Sequence, residues 1–377
     1  MSFSFIHTAD WQIGKQFTAI AGDAGALLRR QRLQTVTAIA DLATRLQADA
    51  ILVAGDLFDS NAVSDETLRR TVQAMIPFAG PWVLLPGNHD AALSQSVWSR
   101  LRHMAVLPER FLLATTPEPL FLGHGRLAVL PAPLTRRHES TDLTDWFDHL
   151  QTDEGVWRVG LAHGSVADRL PGGGEAINPI AAERALSARL DYLALGDWHG
   201  TLPIAERTWY AGTPEPDRFR ENDAGNVLRV VLDQPGAAPL VEKLAIGHYD
   251  WRTVDFELLD ETCLHLLEGV LAALPAYDRV VLRLRLRGEC PLHIRHQLES
   301  LLASWQARLH HLEVEDQALL VQASPEDLQG MAARGFVQEA LTRLQTLCSD
   351  PDRAMVAGDA LRILYRELMA VRGGGNR

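Results

Sequence analysis

The stretch Ala50-Ile51-Leu52-Val53-Ala54-Gly55-Asp56-Leu57-Phe58-Asp59 reads as a buried strand that stops at a carboxylate. Five apolar residues without alternation leave no solvent face, the pattern of a strand covered on both sides. Gly55 admits a tight turn and sets Asp56 at the strand's carboxyl end. The same pattern recurs outward from this segment. Phe3 to Ile6 runs into His7-Thr8-Ala9-Asp10, Trp82 to Leu85 into Gly87-Asn88-His89-Asp90, 156–161 into Ala162-His163-Gly164, and 192–195 into Gly196-Asp197-Trp198-His199-Gly200. Each apolar run ends in carboxylate, amide or imidazole donors. One helix or loop rarely presents six to eight donors around two ions, whereas loops on a rigid sheet do. The five segments therefore point to a pair of metal ions held between strand ends.

Between the donors the period changes to that of a helix. Leu27, Leu28, Leu33, Val36, Ile39, Ala40, Ala43 and Leu46 follow helical spacing, and 65–75 repeats the character before Pro77 and Gly80 end it. Strand, helix, strand, helix, strand implies a parallel start with right-handed crossovers. Segments 125–131, 156–162, 192–195, 208–211 and 227–232 read as strands with shorter connections. The expected fold is α/β, a two-sheet sandwich flanked by helices.

A second module follows, with strand 253–258, helix 261–274, strand 279–287, helix 291–307 and a last strand within 310–321. Ser324-Pro325-Glu326-Asp327 has the composition of a helix start. Phe336, Val337, Ala340, Leu341 and Leu344 form one apolar stripe, and Val356, Leu361, Ile363, Leu364, Tyr365 and Leu368 another. Such a hairpin cannot bury both faces alone, so it docks on the body or on a partner. The expected organisation is a catalytic domain at 1–248, an α/β capping domain at 249–322 and a helical partner-binding region at 323–377, with 373–377 a flexible tail.

Composition bounds the function. The 377 residues suffice for two or three domains, and 47% hydrophobic with 22% charged content is that of a globular protein. The first residues lack a basic stretch or long apolar run, so no secretory signal is expected, and no segment approaches a membrane span. Cys263, Cys290 and Cys348 are scattered, which excludes a zinc ribbon, argues against a disulfide framework and favours a reducing cytoplasm. The net charge of −12 excludes nucleic-acid binding through global charge; a local basic surface, the metals or a partner would have to supply it.

Asp10, then Gly55-Asp56-Leu57-Phe58-Asp59, then Gly87-Asn88-His89-Asp90, then His163, then Gly196-Asp197-Trp198-His199 and Tyr210-Ala211-Gly212-Thr213-Pro214, resembles the calcineurin-like metallophosphoesterases. Within them the chain is similar to the SbcD/YhaO-type DNA repair exonucleases, over about the first 230 residues. The resemblance implies that Asp10 and His199 hold one ion, that Asn88 and His163 hold the other, and that Asp56 bridges both. It implies that His89 is catalytic at the scissile phosphate or leaving oxygen, with Asp59 or Asp90 orienting an imidazole. It further implies a DNA phosphodiesterase with an SbcC-like ATPase partner bound through the terminal helices, and homodimerisation as an added option.

Two positions depart from that pattern. Gln12 stands where the family usually has histidine, and Asp197 replaces the first of two histidines. Both enter the candidate metal set, which becomes richer in oxygen and favours Mn²⁺, with Mg²⁺ as the alternative. The departures also keep a metal-poor scaffold as a rival. A small-molecule phosphodiesterase or phosphomonoesterase is a second rival, although Asp59-Ser60-Asn61 lacks the Asp-Arg-Gly of the protein phosphatases.

Arg283, Arg285 and Arg287 alternate with leucines and share one strand face, either a solvated face or a DNA-binding one. Arg29, Arg30 and Arg32 are expected to face solvent, and His7 to be structural. The loop at 168–175 reads as a surface loop or a rim over the metals.

Overall fold

Strand β2 (Ala50–Val53) is buried along its whole length because it has a partner layer on each face. Ala50, Leu52 and Ala54 point into the space between two sheets, while Ile51 and Val53 pack under helices. The computed structural model describes residues 2–20, 22–104, 107–166, 169–171, 177–324, 327 and 335–374, the side chains of 369, 370 and 372–374 apart. It divides into two compact units, Met1–Tyr249 and Asp250–Arg377.

In the first unit, β1 (Phe3–Thr8), β2, β3 (Trp82–Leu84) and β4 (Phe111–Leu113) run parallel. Helices α1 (Gly22–Arg45), α2 (Asp65–Met75) and α3 (Val97–His103) make the crossovers. The Ser64 hydroxyl caps α2 by accepting from the Thr67 N–H, and Ser96 with Ser99 forms a capping box at α3. The chain then builds β5 (Leu120–Leu122), β6 (Leu127–Ala132), β7 (Trp157–His163), the short pair β8 (Ser165–Val166) and β9 (Pro179–Ile180), α4 (Arg184–Ser187), β10 (Tyr192–Gly196), β11 (Leu202–Ala205) and β12 (Thr208–Tyr210). Finally β13 (Asn226–Leu232) and β14 (Leu240–Ala245) add antiparallel to the free side of β1.

The strand orders are β14-β13-β1-β2-β3-β4 and β11-β12-β10-β7-β6-β5. Phe3, Phe5, Leu52 and Val83 of the first sheet meet Val129, Val159, Leu161 and Tyr192 of the second in one core, so the fold is the expected sandwich. Each fully buried Val, Leu or Phe side chain among them contributes about 1.5–3 kcal/mol, which holds the two sheets face to face. The ligand-bearing loops follow β1, β2, β3, β7 and β10, each at its carboxyl end.

His7 is structural, as expected. It is fully buried, with Nδ1 3.0 Å from the Tyr192 hydroxyl and Nε2 3.2 Å from the Leu195 carbonyl, and burial lowers its pKa to about 3. The unfolded chain takes up this proton below pH 6.5, so stability is full above that value and falls as the pH drops toward 3. The loss amounts to about 2 kcal/mol at pH 5. Denaturant unfolding of the wild type and of His7→Gln at pH 7 and pH 5 checks this: the variant's pH slope should be shallower.

The second unit is a β-α-β-α-β array. Its elements are β15 (Asp250–Leu258), α5 (Glu261–Ala272), β16 (Val280–Pro291), α6 (Leu292–Gln306) and β17 (His311–Gln322), with all three strands parallel. The Asp260 carboxylate caps α5 through the Cys263 N–H. Asp327 accepts from the main-chain N–H groups of Leu292 and His293 at the start of α6, satisfying donors that helix geometry leaves free. The helices Phe336–Cys348 and Ala354–Gly374 pack through Leu341 and Leu361 onto Leu292. The last helix includes Gly373 and Gly374, so it runs two residues into the segment expected to be a tail. Most of loop 168–175, the remainder of the Ser324 helix start and 375–377 lie outside the described residues. Among the described residues no helix is long and apolar enough to cross a membrane.

Candidate metal centre

The loops after β1 and β2 are laced together. Asp10 N–H donates to the Gly55 carbonyl at 3.1 Å, Gln12 N–H to Asp56 at 2.9 Å and Ile13 N–H to Leu57 at 2.9 Å. The sheet ladder thus continues beyond the strands and carries Asp10 and Asp56 side by side. Asp10, Gln12, Asp56 and Asp197 have φ of +54°, +43°, +53° and +100°, values non-glycine residues rarely adopt. Such backbone recurs at the donors, as at sites where position outranks local stability.

Asp10, Asp56 and His163 each offer a ligand atom within 4.8 Å of the others, and all three are buried. His163 Nδ1 is 2.8 Å from the Ala54 carbonyl, so Nδ1–H donates there and Nε2 is the ring nitrogen turned toward the carboxylates. That nitrogen lies 3.5 Å from Asp56 Oδ1 and 3.8 Å from Asp197 Oδ1, and it has no hydrogen-bond partner. Asn88 Oδ1 is likewise buried and unpartnered. Asp197 donates its N–H to the Asp10 carboxylate at 3.2 Å, while its own carboxylate accepts from the Ser165 hydroxyl at 3.0 Å.

Electrostatics point the same way. Burial pushes the Asp10 carboxyl well above the usual carboxylate range; His163 opposes that shift, and Asp56 and Asp197 reinforce it. Burial works against a charged imidazole at His163, but Asp56, Asp10 and Asp197 outweigh it and raise the group to about 9. Clustered buried carboxylates that hold a proton on histidine are a set that a divalent cation would stabilise by displacing that proton. Orphaned donor atoms and surplus negative charge therefore fit a metal.

His89 donates its main-chain N–H to Asp56 Oδ1 at 2.9 Å, and its ring Nδ1 is 2.9 Å from the Asp59 carbonyl. Asp59 thus orients an imidazole, but through its backbone oxygen and not its carboxylate. Among the described residues Asp90 hydrogen-bonds no imidazole. Its buried carboxylate accepts from the Phe58 N–H at 3.0 Å and the Gly87 N–H at 2.7 Å, stapling the two loops together.

Gln12 and His199 face each other, with Nε2 to Nε2 at 3.2 Å, and Lys15 Nζ donates to Gln12 Oε1 at 3.3 Å. His199 Nδ1 is 3.7 Å from Asp217, a residue the motif pattern does not reveal. His199, Arg32 and Lys15 hold the Asp217 carboxyl well below the usual range against the opposing effect of burial. Arg32 is buried, contrary to its expected solvent-facing position. It donates to the carbonyls of Trp11, Asp10 and Glu215, clamping the β1 loop.

In the second unit Arg283 pairs with Glu313 and Glu315, and Arg285 with Glu315 and Asp255. Arg287 is exposed on the same face. The charge of the first two is therefore matched by neighbouring strands.

A two-sheet α/β sandwich with carboxylate, imidazole and amide donors converging at its strand ends is the architecture of a metallophosphoesterase. The family model described as calcineurin-like phosphoesterase matches residues 3–201, and the chain belongs to that family. It is 28% identical over 130 residues to the SbcD component of the SbcCD nuclease of Staphylococcus epidermidis; the match spans 33% of this chain and 33% of that protein's length. Among solved structures it is similar to a dimetal phosphatase from Danio rerio, at 11% identity and a TM-score of 0.36, covering 63% of this chain and 98% of the other.

Proposed function

We propose that the chain is a DNA phosphodiesterase working with two divalent ions, Mn²⁺ in the first place and Mg²⁺ as the alternative. The observation that carries this reading is the meeting of Asp10, Asp56 and His163, with His163 Nε2 left free by the Ala54 carbonyl. Asp10, Asp56, Asn88, His163, Asp197 and His199 would hold the ions. Bound there, they would supply Lewis acidity toward a phosphoryl oxygen and a water of lowered pKa. Gln12, whose oxygen accepts from Lys15 and whose nitrogen faces His199, is the further candidate ligand. His89, fixed by the Asp59 carbonyl, is the group that in its imidazolium form would give its Nε2 proton to the leaving oxygen.

In this reading the chain works in DNA repair in a reducing cytoplasm, in keeping with free Cys263, Cys290 and Cys348. Its partner is an SMC-type ATPase resembling SbcC, or alternatively a second copy. Phe336 and Met355, each 82% exposed on the terminal helices, are the apolar side chains such a partner would cover. The test is hydrolysis of duplex and single-stranded DNA with Mn²⁺, alone and with a candidate ATPase. Cleavage should vanish with a chelator and fall about 1,000-fold in Asp56→Asn, the scale of removing one preorganised electrostatic contact. Turnover of phosphate monoesters with no cleavage of DNA would overturn the reading.

A further inference from the structure

The side of the centre occupied by His199 gathers basic side chains. The buried carboxylate of Asp217 receives Lys15 Nζ at 2.6 Å and Arg218 Nε at 2.8 Å, and Arg32 Nη1 lies at 3.9 Å. Three cations thus gather on one carboxylate in a chain of net charge −12, with Glu215 and Asp59 also acting on Arg32. Two residues on, the Arg220 guanidinium sits 4.7 Å from the ring centre of Trp198, which lies between Asp197 and His199 in the chain.

The turn that carries these arginines is built. Arg220 N–H donates to the Arg218 carbonyl at 2.9 Å, Asn222 N–H to Arg220 at 3.0 Å, and Thr201 N–H to Asp223 at 3.1 Å. Arg218 and Arg220 are exposed, and Arg218 shares its acid, Asp217, with Lys15 and Arg32, whereas Arg283 and Arg285 each have two acids. Asp217 engages Arg218 through Nε, which orients the guanidinium while leaving its two terminal nitrogens for a second acceptor.

We propose that Lys15, Arg218 and Arg220 form a phosphate-binding subsite for the backbone phosphate adjoining the one that is cleaved, which makes a polynucleotide strand the preferred substrate over an isolated phosphate ester. This rests on the phosphodiesterase reading above and assigns it a substrate-length requirement. Local charge fixed beside the donors supplies what the acidic chain as a whole cannot, since phosphate contacts set most of the salt-dependent affinity for a strand.

The experiment is fluorescence anisotropy of the full chain with a labelled 12-nucleotide single strand, between 50 and 200 mM salt, for the wild type and Arg218→Gln/Arg220→Gln. Both side chains are on the surface, and a circular dichroism melt confirms that the variant folds. Loss of this one phosphate contact should weaken binding about tenfold and flatten the slope of log K against log salt by about 0.7. In a dinucleotide-to-tetranucleotide series, the wild type's KM should fall with length and the variant's should not. Wild-type affinity and salt slope in the variant would overturn the subsite even with DNA cleavage intact, as would a wild type that binds the strand no better than a mononucleotide. Failure of the parent reading looks different: no cleavage of any DNA by metal-loaded wild type, whatever the binding data show.

Discussion

His89→Ala is expected to cleave DNA about 1,000-fold more slowly than the wild type, a transition-state loss of about 4 kcal/mol, while keeping its fold and its metal. The fold survives because the residue's structural duty belongs to its backbone: the N–H that binds Asp56 Oδ1 at 2.9 Å remains in alanine. The ring is only partly buried, and its removal leaves no large cavity. What disappears is an imidazole whose Nδ1 is held by the Asp59 carbonyl, leaving Nε2 as the group able to serve the substrate. The leaving oxygen of DNA is a strongly basic alkoxide and needs a proton, whereas p-nitrophenolate does not. The variant should therefore lose far less rate on bis-p-nitrophenyl phosphate than on an oligonucleotide. Equal losses on both would remove the proton-donor role and leave His89 as a contact to the phosphate alone.

Much of this centre is legible in the sequence because buried strands write a distinctive pattern. Ala50 to Ala54 is apolar without alternation, so its burial on both faces and the position of Asp56 at its end can be read directly. The motif order also carries Asp10, Asn88, His163 and His199. Elements that lack this signal escape such a reading. β4 and β5 are three residues each, and β14 is an edge strand of Leu-Val-Glu-Lys-Leu-Ala whose residues are exposed or half-buried. Edge strands bury little, so their sequences are under little apolar constraint.

Polar residues are harder to place, since their burial depends on partners remote in the chain. Arg32 reads as one more helical surface arginine, yet it is buried because Trp11, Asp10 and Glu215 turn carbonyls toward it. Asp217 sits in no motif, and only the fold brings it to Lys15 and His199. The roles of Asp59 and Asp90 are half legible: both support the centre, Asp59 by accepting through its main-chain carbonyl and Asp90 by accepting from main-chain N–H groups, bonds that a side-chain motif does not encode.

The second large effect is expected at a glycine. A Cβ added at Gly87 would lie 2.2 Å from Asp56 Oδ1 and 2.4 Å from the Asp56 backbone nitrogen. A carboxylate alone could swing aside, but the backbone nitrogen is fixed by the ladder that joins Asp10 to Gly55 and Gln12 to Asp56. Relief therefore requires shifting the loops after β2 and β3 apart, which also breaks the Gly87 N–H to Asp90 bond. Gly125 makes the contrast: its φ is +87° but nothing lies within 4 Å, so Gly125→Ala meets only backbone strain of about 1–2 kcal/mol, remote from the donors. Gly87→Ala should lose about 100-fold in Mn²⁺ affinity by calorimetry and about 1,000-fold in cleavage rate, because displacements near 1 Å are enough to dismantle a reacting geometry. Gly125→Ala should retain both. If Gly87→Ala bound Mn²⁺ as tightly as the wild type, Asp56 would not be a ligand held in place by that loop contact, and the proposed centre would lose its bridging carboxylate.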